Sequence, residues 1–411
     1  MPVVGAQSGP GGTRRRLAAA AALVTALATA ACGSGAVSTG GGGTSAPTQA
    51  LAPFQGAFTT TALPDGIQAL QDVDCASDTR CWAVGSTAGT AKASSTAVVV
   101  TTTDGGSAWT VQSVPATVGY LSAVSCPTTR ACTAVGQVGS DGAGPGAVLT
   151  TQNAGATWTL QTVPGGTTDV TAVDCPTARS CTALADIAGR VTALTAGSPG
   201  SPWTTGGALP TTVESATGLS CTDPTHCWAT VTSPVDVGHA TGGVAATADG
   251  GSTWVLESVP PGTGVLRGIG CRPGTAPSGS GATTRPAGPP VDCSAVGTTA
   301  TVPGATRSGQ GLVLTTTSGG ASWSPAAVTA TSAALQAVSC DAGPCVAVGT
   351  TVPSAPQSGL VVLTGSAGAE SAGWRRAAVV DVALPLTGVS CPSLTSCVVV
   401  GESVSAHLSV G

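Results

Sequence analysis

Cysteines are the residues of this chain whose number and spacing most directly imply chemistry. Of the 15 cysteines, 14 fall into seven close pairs, most of them with five residues between the two thiols. Close pairs can form disulfides, or they can bind zinc, which usually needs a Cys-x2-Cys spacing with further Cys or His nearby. The chain has three histidines, so disulfides are favoured and zinc is the competing chemistry. The predicted pairs are Cys75 with Cys81, Cys126 with Cys132, Cys175 with Cys181, Cys221 with Cys227, Cys271 with Cys293, Cys340 with Cys345, and Cys391 with Cys397.

The fifteenth cysteine, Cys32, follows a segment with the features of an export signal. Three arginines at positions 14–16 precede an apolar stretch, residues 17–31, that ends in small side chains. The residues before Cys32 resemble a bacterial lipobox, in which the cysteine is lipidated and becomes the mature N-terminus, although Thr29 stands where leucine is usual. We predict a lipoprotein-type signal peptide over residues 1–31. Ordinary cleavage after an Ala-x-Ala site is the alternative, and the arginines leave Sec and twin-arginine export both open.

The composition of the rest of the chain indicates a flexible tether and excludes nucleic-acid binding. Residues 32–57 are rich in Gly, Ser, Thr and Pro, which predicts a flexible tether between a membrane and a domain. The net charge is −5, and removal of the signal would leave 11 basic against 19 acidic side chains. A nucleic-acid ligand needs basic stripes, which are absent from this sequence. We expect an exported monomer that is lipid-anchored to the outer face of the cytoplasmic membrane in a bacterial envelope.

A repeat occupies residues 58–411. A tryptophan precedes the first cysteine of each later pair by 17 or 18 residues, as Trp109 precedes Cys126. Each unit contains four short β-rich segments separated by turns, which is the content of one antiparallel propeller blade. Phe58 replaces tryptophan 17 residues before Cys75, so the first unit begins in mid-repeat. The predicted fold is all-β: a seven-bladed β-propeller of four-stranded blades, closed by an N-terminal strand that completes the last blade.

The glycine turns before four of the tryptophans share the pattern S/T-x-D/N/S-x-G-x-T/S/A-W. This pattern resembles the Asp box of bacterial-neuraminidase-like repeats, found in sialidases, related glycoside hydrolases and propellers such as the photosystem II assembly factors. We interpret the box as structural: its acidic side chain accepts backbone amides, its glycine takes a positive φ, and its tryptophan packs between blades. Sugar stacking by solvent-facing tryptophans is the alternative. The box residues are Asp104, Gly106, Trp109, Asn153, Gly155, Trp158, Asp249, Gly251, Trp254, Ser318, Gly320 and Trp323.

Candidate ligand-binding residues are expected on the propeller face opposite the cysteine loops, around the central channel. These residues are Tyr120, Arg190, Glu214, His239, Arg267 and Arg307. The sialidase resemblance implies a tyrosine nucleophile with a glutamate partner and arginines for the substrate carboxylate, so Tyr120 and Glu214 would fill the first two roles. The chain has one tyrosine and lacks the Arg-Ile-Pro signature of those enzymes. A sialidase-like glycoside hydrolase is therefore the alternative hypothesis.

The favoured hypothesis is a non-catalytic scaffold that binds a protein or a glycan at the cell envelope. It needs no metal and no cofactor, and it contacts the membrane through the lipid anchor alone. One further binding surface is conceivable. Arg80, Arg130 and Arg179 recur in the cysteine loops of consecutive units, and they could form a basic patch for an anionic partner or simply reflect the inheritance of the repeat.

Overall fold

Short runs of β-branched residues form the strands of this chain, and glycine-rich turns separate them. The structure, a computed structural model, describes residues 57–87, 95–139, 144–233, 241–274, 291–300, 309–328, 332–340, 344–351, 360–365, 374–380, 385–393, 395–402 and 404–409. These residues form strands and turns without helices, in seven four-stranded antiparallel sheets. The sheets are the blades of a β-propeller.

The strands are numbered in chain order, and the blades follow the same order. The chain begins with β1 (Ala57–Ala62), and the first three blades are blade 1, with β2 (Ile67–Cys75), β3 (Cys81–Thr87), β4 (Ala97–Thr102) and β5 (Thr110–Gln112); blade 2, with β6 (Val118–Ser125), β7 (Cys132–Val138), β8 (Gly146–Thr151) and β9 (Thr159–Leu160); and blade 3, with β10 (Thr167–Thr177), β11 (Ser180–Ile187), β12 (Arg190–Ala196) and β13 (Thr204–Ala208).

The remaining strands continue the same up-and-down order. They are, in blade 4, β14 (Ser215–Cys221), β15 (Cys227–Ser233), β16 (Thr241–Thr247) and β17 (Val255–Glu257); in blade 5, β18 (Thr263–Pro273), β19 (Val291–Thr299), β20 (Gly311–Thr316) and β21 (Ser324–Pro325); in blade 6, β22 (Ser332–Ser339), β23 (Cys345–Thr351), β24 (Leu360–Gly365) and β25 (Arg375–Val380); and in blade 7, β26 (Leu386–Ser393), β27 (Ser396–Gly401) and β28 (Val404–Ser409).

Blade 7 takes its fourth strand from the other end of the chain. Strand β1 pairs antiparallel with β28, with Phe58 opposite Leu408 and Thr61 opposite Ser405. Strands β2 and β26 are in contact, so blade 1 lies against blade 7. This arrangement confirms the closure predicted from Phe58, and it pairs two strands that would otherwise leave free edges.

The hydrophobic core lies between neighbouring blades. In each blade the residue five before the first cysteine is apolar and buried, and Leu70, Leu121, Leu266 and Leu335 are all fully buried there. Side chains from the middle strands of one blade pack against the first strand of the next, as Trp82 of blade 1 does in the cluster that contains Leu121 of blade 2. Because every blade buries both of its faces, its inner strands are apolar almost continuously.

The cysteines form the seven predicted disulfides, each between the end of a blade's first strand and the start of its second. Cys221 and Cys227 lie directly opposite each other in the antiparallel register, and the paired Cα atoms of the seven bridges are 4.0–4.2 Å apart. All 14 bonded cysteines are buried. So many disulfides are typical of a protein in an oxidising environment.

The Asp-box turns have the expected structural geometry. In blade 4, Thr247 Oγ1 accepts the amide of Gly251 at 3.0 Å, and Asp249 Oδ1 accepts the amide of Thr253 at 2.8 Å. The box glycines have φ angles of 84–93°, which favour glycine. The tryptophans are at most 8% exposed, so the alternative of solvent-facing sugar stacking is wrong for these side chains. Within the described part of the chain, no helix has the length and apolarity needed to cross a membrane.

Candidate ligand-binding channel

The first strands of the seven blades surround a central channel. Their side chains line a cavity of about 240 Å³, and a second cavity of about 440 Å³ opens at the end of the channel where the disulfides lie. We call that end the disulfide mouth. The Asp-box turns belong to the same face, because Gly105, Ala154 and Gly250 each donate their amide to a carbonyl in the cysteine loop of their own blade. The other end is called the opposite mouth.

The first strand of every blade carries a β-bulge at the same position relative to the first cysteine. The residue four before the first cysteine is skipped in the pairing with the second strand, and this happens in all seven described blades. Bulges re-aim the side chains that they carry. Here they direct one polar side chain from each blade to the channel wall, forming a set that we call the bulge ring: Gln71, Ser122, Thr171, Thr217, Arg267, Gln336 and Thr387.

Four members of the bulge ring are short hydroxyl residues, and their hydroxyls are used by the scaffold. Three of them donate to a backbone carbonyl of the next blade: Ser122 to Val170 at 2.9 Å, Thr217 to Leu266 at 2.9 Å, and Thr387 to Leu70 at 2.6 Å. The fourth, Thr171, donates to Leu184 of its own blade at 3.4 Å. The three longer members, Gln71, Arg267 and Gln336, make no such contact, so their side chains are available to a ligand.

A second ring joins neighbouring blades nearer the disulfide mouth. The residue before each first cysteine accepts the backbone amide of the first cysteine of the next blade, and we call these residues the junction ring. Asp74 accepts from Cys126 at 2.6 Å, and Ser125 accepts from Cys175 at 3.0 Å. The remaining printed pairs are Asp174 with Cys221, Ser220 with Cys271, Ser339 with Cys391, and Ser390 with Cys75. In blade 5 this position is Gly270, which has no side chain to offer.

Asp72 is an acidic residue of the channel wall. Its carboxylate accepts the amides of Val73 and Val124, both at 2.9 Å, so it bridges blades 1 and 2. Burial raises the pKa of Asp72 to about 7, and the nearby charge of Asp74 also raises it, while the two amide hydrogen bonds limit the rise. Asp72 can therefore change its charge near neutral pH.

Tyr120 lies towards the opposite mouth, and its partner is an aspartate rather than the glutamate considered from the sequence. Its Oη donates to Asp169 Oδ1 at 2.9 Å. Burial and the charge of Asp169 raise the pKa of Tyr120, and burial also raises the pKa of Asp169. A raised pKa keeps the phenol protonated, which opposes its use as a nucleophile. Glu214 is exposed before β14, two blades away from Tyr120.

The other predicted ligand-face residues are distributed unevenly. Arg190 is exposed and donates to the carbonyl of Leu209 at 3.0 Å, whereas Arg267 is exposed inside the channel, as a member of the bulge ring. His239 and Arg307 lie outside the described residues. The structure thus brings one of the predicted cations, Arg267, into the channel wall. The bulge that places it there was not foreseen from the sequence.

The recurring arginines of the cysteine loops do not have equal surroundings. Arg80 lies over the ring of Trp82, 5.1 Å from its centroid, and donates to the carbonyl of Ala154 in blade 2 at 3.4 Å. Arg130 and Arg179 are exposed. In the cysteine loop of blade 4, Asp223 Oδ2 lies 2.9 Å from His226 Nδ1. Among the described residues, no three His, Cys, Asp or Glu side chains are grouped so that they could hold a metal ion.

Comparison with known proteins identifies the architecture. Solved structures similar to this chain include YCF48 bound to D1 peptide, with a TM-score of 0.55 and 12% identity over 86% of this chain and 95% of the other. They also include an inactive virginiamycin B lyase from Staphylococcus aureus with quinupristin, with a TM-score of 0.58 and 8% identity over 87% and 100%. The chain has a β-propeller fold. YCF48 from Cyanidioschyzon merolae is similar too, with a TM-score of 0.51 and 13% identity over 85% and 98%.

These similarities show the fold alone, because identities this low do not carry function across a fold that hosts many activities. No protein-family model matches the chain, and no curated protein sequence is similar to it. Functional conclusions therefore depend on the residues of the channel.

Proposed function

We propose that the chain is a non-catalytic binding scaffold of the bacterial cell envelope, which holds part of a protein or cell-wall glycan ligand at its central channel. The bulge ring is the observation that carries this proposal. Seven bulges aim polar side chains at one level of an open channel, and three of those side chains, Gln71, Arg267 and Gln336, are not used by the scaffold. A few convergent polar groups in a concave site are typical of ligand recognition.

The channel wall is held rigidly, which supports ligand binding rather than a conformational change as its role. The junction ring ties the first strands of neighbouring blades together, and each blade carries a buried disulfide beside that ring. Preformed sites lose less conformational entropy when a ligand binds. The solved structure of YCF48 bound to D1 peptide supports a peptide as one class of ligand for such a propeller.

The N-terminal part of the proposal concerns export and anchoring. In it, residues 1–31 are a lipoprotein signal peptide, Cys32 carries the lipid, residues 32–57 are the tether, and residues 58–411 are the propeller, acting as a monomer. The 14 cysteines that pair in the propeller leave Cys32 over. Mass spectrometry of the mature N-terminus should detect a diacylated or triacylated Cys32. An unmodified N-terminus would remove the anchor from the proposal and leave the channel unaffected.

Capture from cell-envelope extract tests the binding role. The full chain with a C-terminal tag should retain the same protein or glycan in independent preparations after crosslinking, and free untagged chain should compete for it. A panel of glycosides should show no hydrolysis. Repeated failure to capture any ligand, together with hydrolysis that is lost in Tyr120→Phe, would replace the scaffold with the sialidase-like alternative.

A further inference from the structure

We infer that the bulge ring binds a carboxylate group, with the guanidinium of Arg267 as its principal contact and the amides of Gln71 and Gln336 as further donors. This inference rests on the proposed binding function and names the chemistry of the ligand. Arg267 is one of the candidate ligand-face residues of the sequence, whereas nothing in the sequence pattern or in the similar structures assigns a ligand to Gln71 or Gln336.

The first step in the argument is the charge balance of the cavity wall. Its charged residues are Asp72, Asp74, Asp174 and Arg267. Each of the three aspartates accepts at least one backbone amide across a blade junction: Val124, Cys126 and Cys221 are the donors. Such bonds stabilise a carboxylate and tie it to the wall. The acidic groups are therefore engaged in holding the blades together.

Arg267 differs from these acids. Among the described residues its guanidinium has no hydrogen-bond or ion-pair partner. Arginine is charged at every physiological pH and presents its N–H groups as a planar fork that matches a carboxylate. An unpaired arginine inside a confined polar channel is thus a site for an anionic group, and a carboxylate is the planar anion that fits the fork.

The members of the bulge ring differ in whether they bond to the next blade. Ser122, Thr217 and Thr387 are short enough for their hydroxyls to bond the next blade at the same level. Gln71, Arg267 and Gln336 make no such bond to the next blade, and all three line the cavity. Arg267 and Gln336 lie on adjacent blades, and Gln71 lies on the far side of Thr387. Donors therefore approach a bound carboxylate from more than one side.

The size of the cavity limits what enters. A volume of about 240 Å³ lies below the range of about 300–1,000 Å³ usual for whole small-molecule sites. The channel therefore holds the end of a ligand rather than the entire ligand. A peptide C-terminus and an acidic sugar both offer a terminal carboxylate, and the experiment separates these two sources.

The experiment uses two matched pairs of probes: acetyl-Ala-Ala with a free carboxylate against its C-terminal amide, and glucuronate against glucose. Binding to the full chain is measured by saturation-transfer NMR and calorimetry. We expect a carboxylate probe to bind and its neutral counterpart not to bind. Tighter binding of the dipeptide indicates a peptide end, and tighter binding of glucuronate indicates a sugar acid. The inference is overturned if neither carboxylate binds, or if the neutral probes bind equally well.

Variants locate the binding. Arg267→Gln should weaken carboxylate binding by about tenfold or more, the amount expected for loss of charged hydrogen bonds, and Arg267→Lys should retain part of it because the charge remains without the fork. Asp65→Asn removes an exposed charge outside the channel and should bind as the wild type does. Unchanged binding in Arg267→Gln, with an unaltered melting temperature, would place the carboxylate elsewhere.

The same variants distinguish this inference from the broader proposal. If Arg267→Gln and the wild type capture the same ligand from envelope extract with equal yield, the scaffold function stands and the carboxylate site is wrong. If the purified chain binds a carboxylate probe through Arg267 but captures nothing from the envelope, the site stands and the envelope role is wrong.

Discussion

Gly270 breaks the junction ring at a single blade boundary. In six blades an aspartate or serine accepts the amide of the next blade's first cysteine, whereas Gly270 faces Cys340 without a side chain. A Cβ atom built at Gly270 would lie 3.3 Å from the amide nitrogen of Cys340 and 3.3 Å from its Sγ. A hydroxyl added there would be within reach of that amide.

We predict that Gly270→Ser makes the protein more stable than Gly270→Ala by about 0.5–1.5 kcal/mol, the usual net value of one hydrogen bond. Both variants introduce the same Cβ crowding, so their difference isolates the hydroxyl. Urea unfolding with the disulfides intact measures it. Equal stability of the two variants would show that a side-chain hydroxyl at position 270 forms no stabilising hydrogen bond with the amide of Cys340.

Asp72 gives the channel a pH dependence whose sign follows from its raised pKa. The folded state holds the proton of Asp72 more tightly than an exposed carboxyl with the ordinary value of 3.8, so the stability that protonated Asp72 contributes is complete below that pH and is lost as the pH rises through about 7. We predict that the free energy of unfolding of the wild type, measured relative to Asp72→Asn, falls between pH 4.5 and 8. The slope cannot exceed about 1.4 kcal/mol per pH unit for one proton. Parallel pH profiles of the two proteins would contradict the prediction.

At the scale of the strand, a glycine recurs opposite the bulged first strand in most blades. The second strand of five blades carries a glycine four residues after its cysteine, as in Gly136 and Gly297. A Cβ at Gly136 would lie 2.2 Å from the carbonyl oxygen of Tyr120 and 2.8 Å from the Cα of Leu121. In blade 2 the bulged first strand thus approaches the second strand too closely for a side chain at this position, whereas blades 3 and 4 carry Ala185 and Val231 there.

We predict that Gly136→Ala destabilises the protein by about 1–3 kcal/mol, because the first strand of blade 2 must shift to accept the methyl group. The control is Gly243→Ala in β16, where the nearest atom, Val231 Cγ2, is 3.4 Å from the added Cβ. The control should change the melting temperature much less. Equal effects in the two variants would mean that close approach of the backbone is not the cause.

The strands and turns could be predicted from the sequence because they follow the spacing of nearby residues. The channel could not, because its wall depends on the pairing between strands and between blades. Cysteines at nearly constant spacing and glycine turns before tryptophan define each blade within about 50 residues, so the disulfides and the closing strand could be anticipated. The bulge is a feature of hydrogen-bond register and leaves no residue type of its own, because Thr171 and Arg267 occupy it equally well. Asp169, the partner of Tyr120, lies in the next blade. A comparison of residues at a fixed distance before each cysteine would have revealed Arg267, Gln71 and Gln336 as departures from short hydroxyl residues.

At the scale of the whole molecule, every blade depends on two neighbours, and the closure is the junction where the two ends of the described chain meet. Ser405 of β28 lies at that junction. Its Oγ donates to the carbonyl of Thr61 in β1 at 3.3 Å, and it accepts the indole N–H of Trp109 in blade 1 at 2.8 Å. Loss of β1 would therefore expose the edge of β28 and weaken the contact between blades 7 and 1 together.

We predict that deletion of Ala57–Ala62 lowers the melting temperature by about 5 °C or more and makes the C-terminal strand accessible to proteases. An unpaired β28 also offers an edge to other chains, so the deletion variant should associate with itself as its concentration rises. Deletion of residues 44–49, six residues of the predicted tether, is the matched control and should leave melting unchanged. If the variant without β1 melts and resists proteolysis as the wild type does, the ring is held by its other blade junctions, and the pairing of β1 with β28 contributes little to stability.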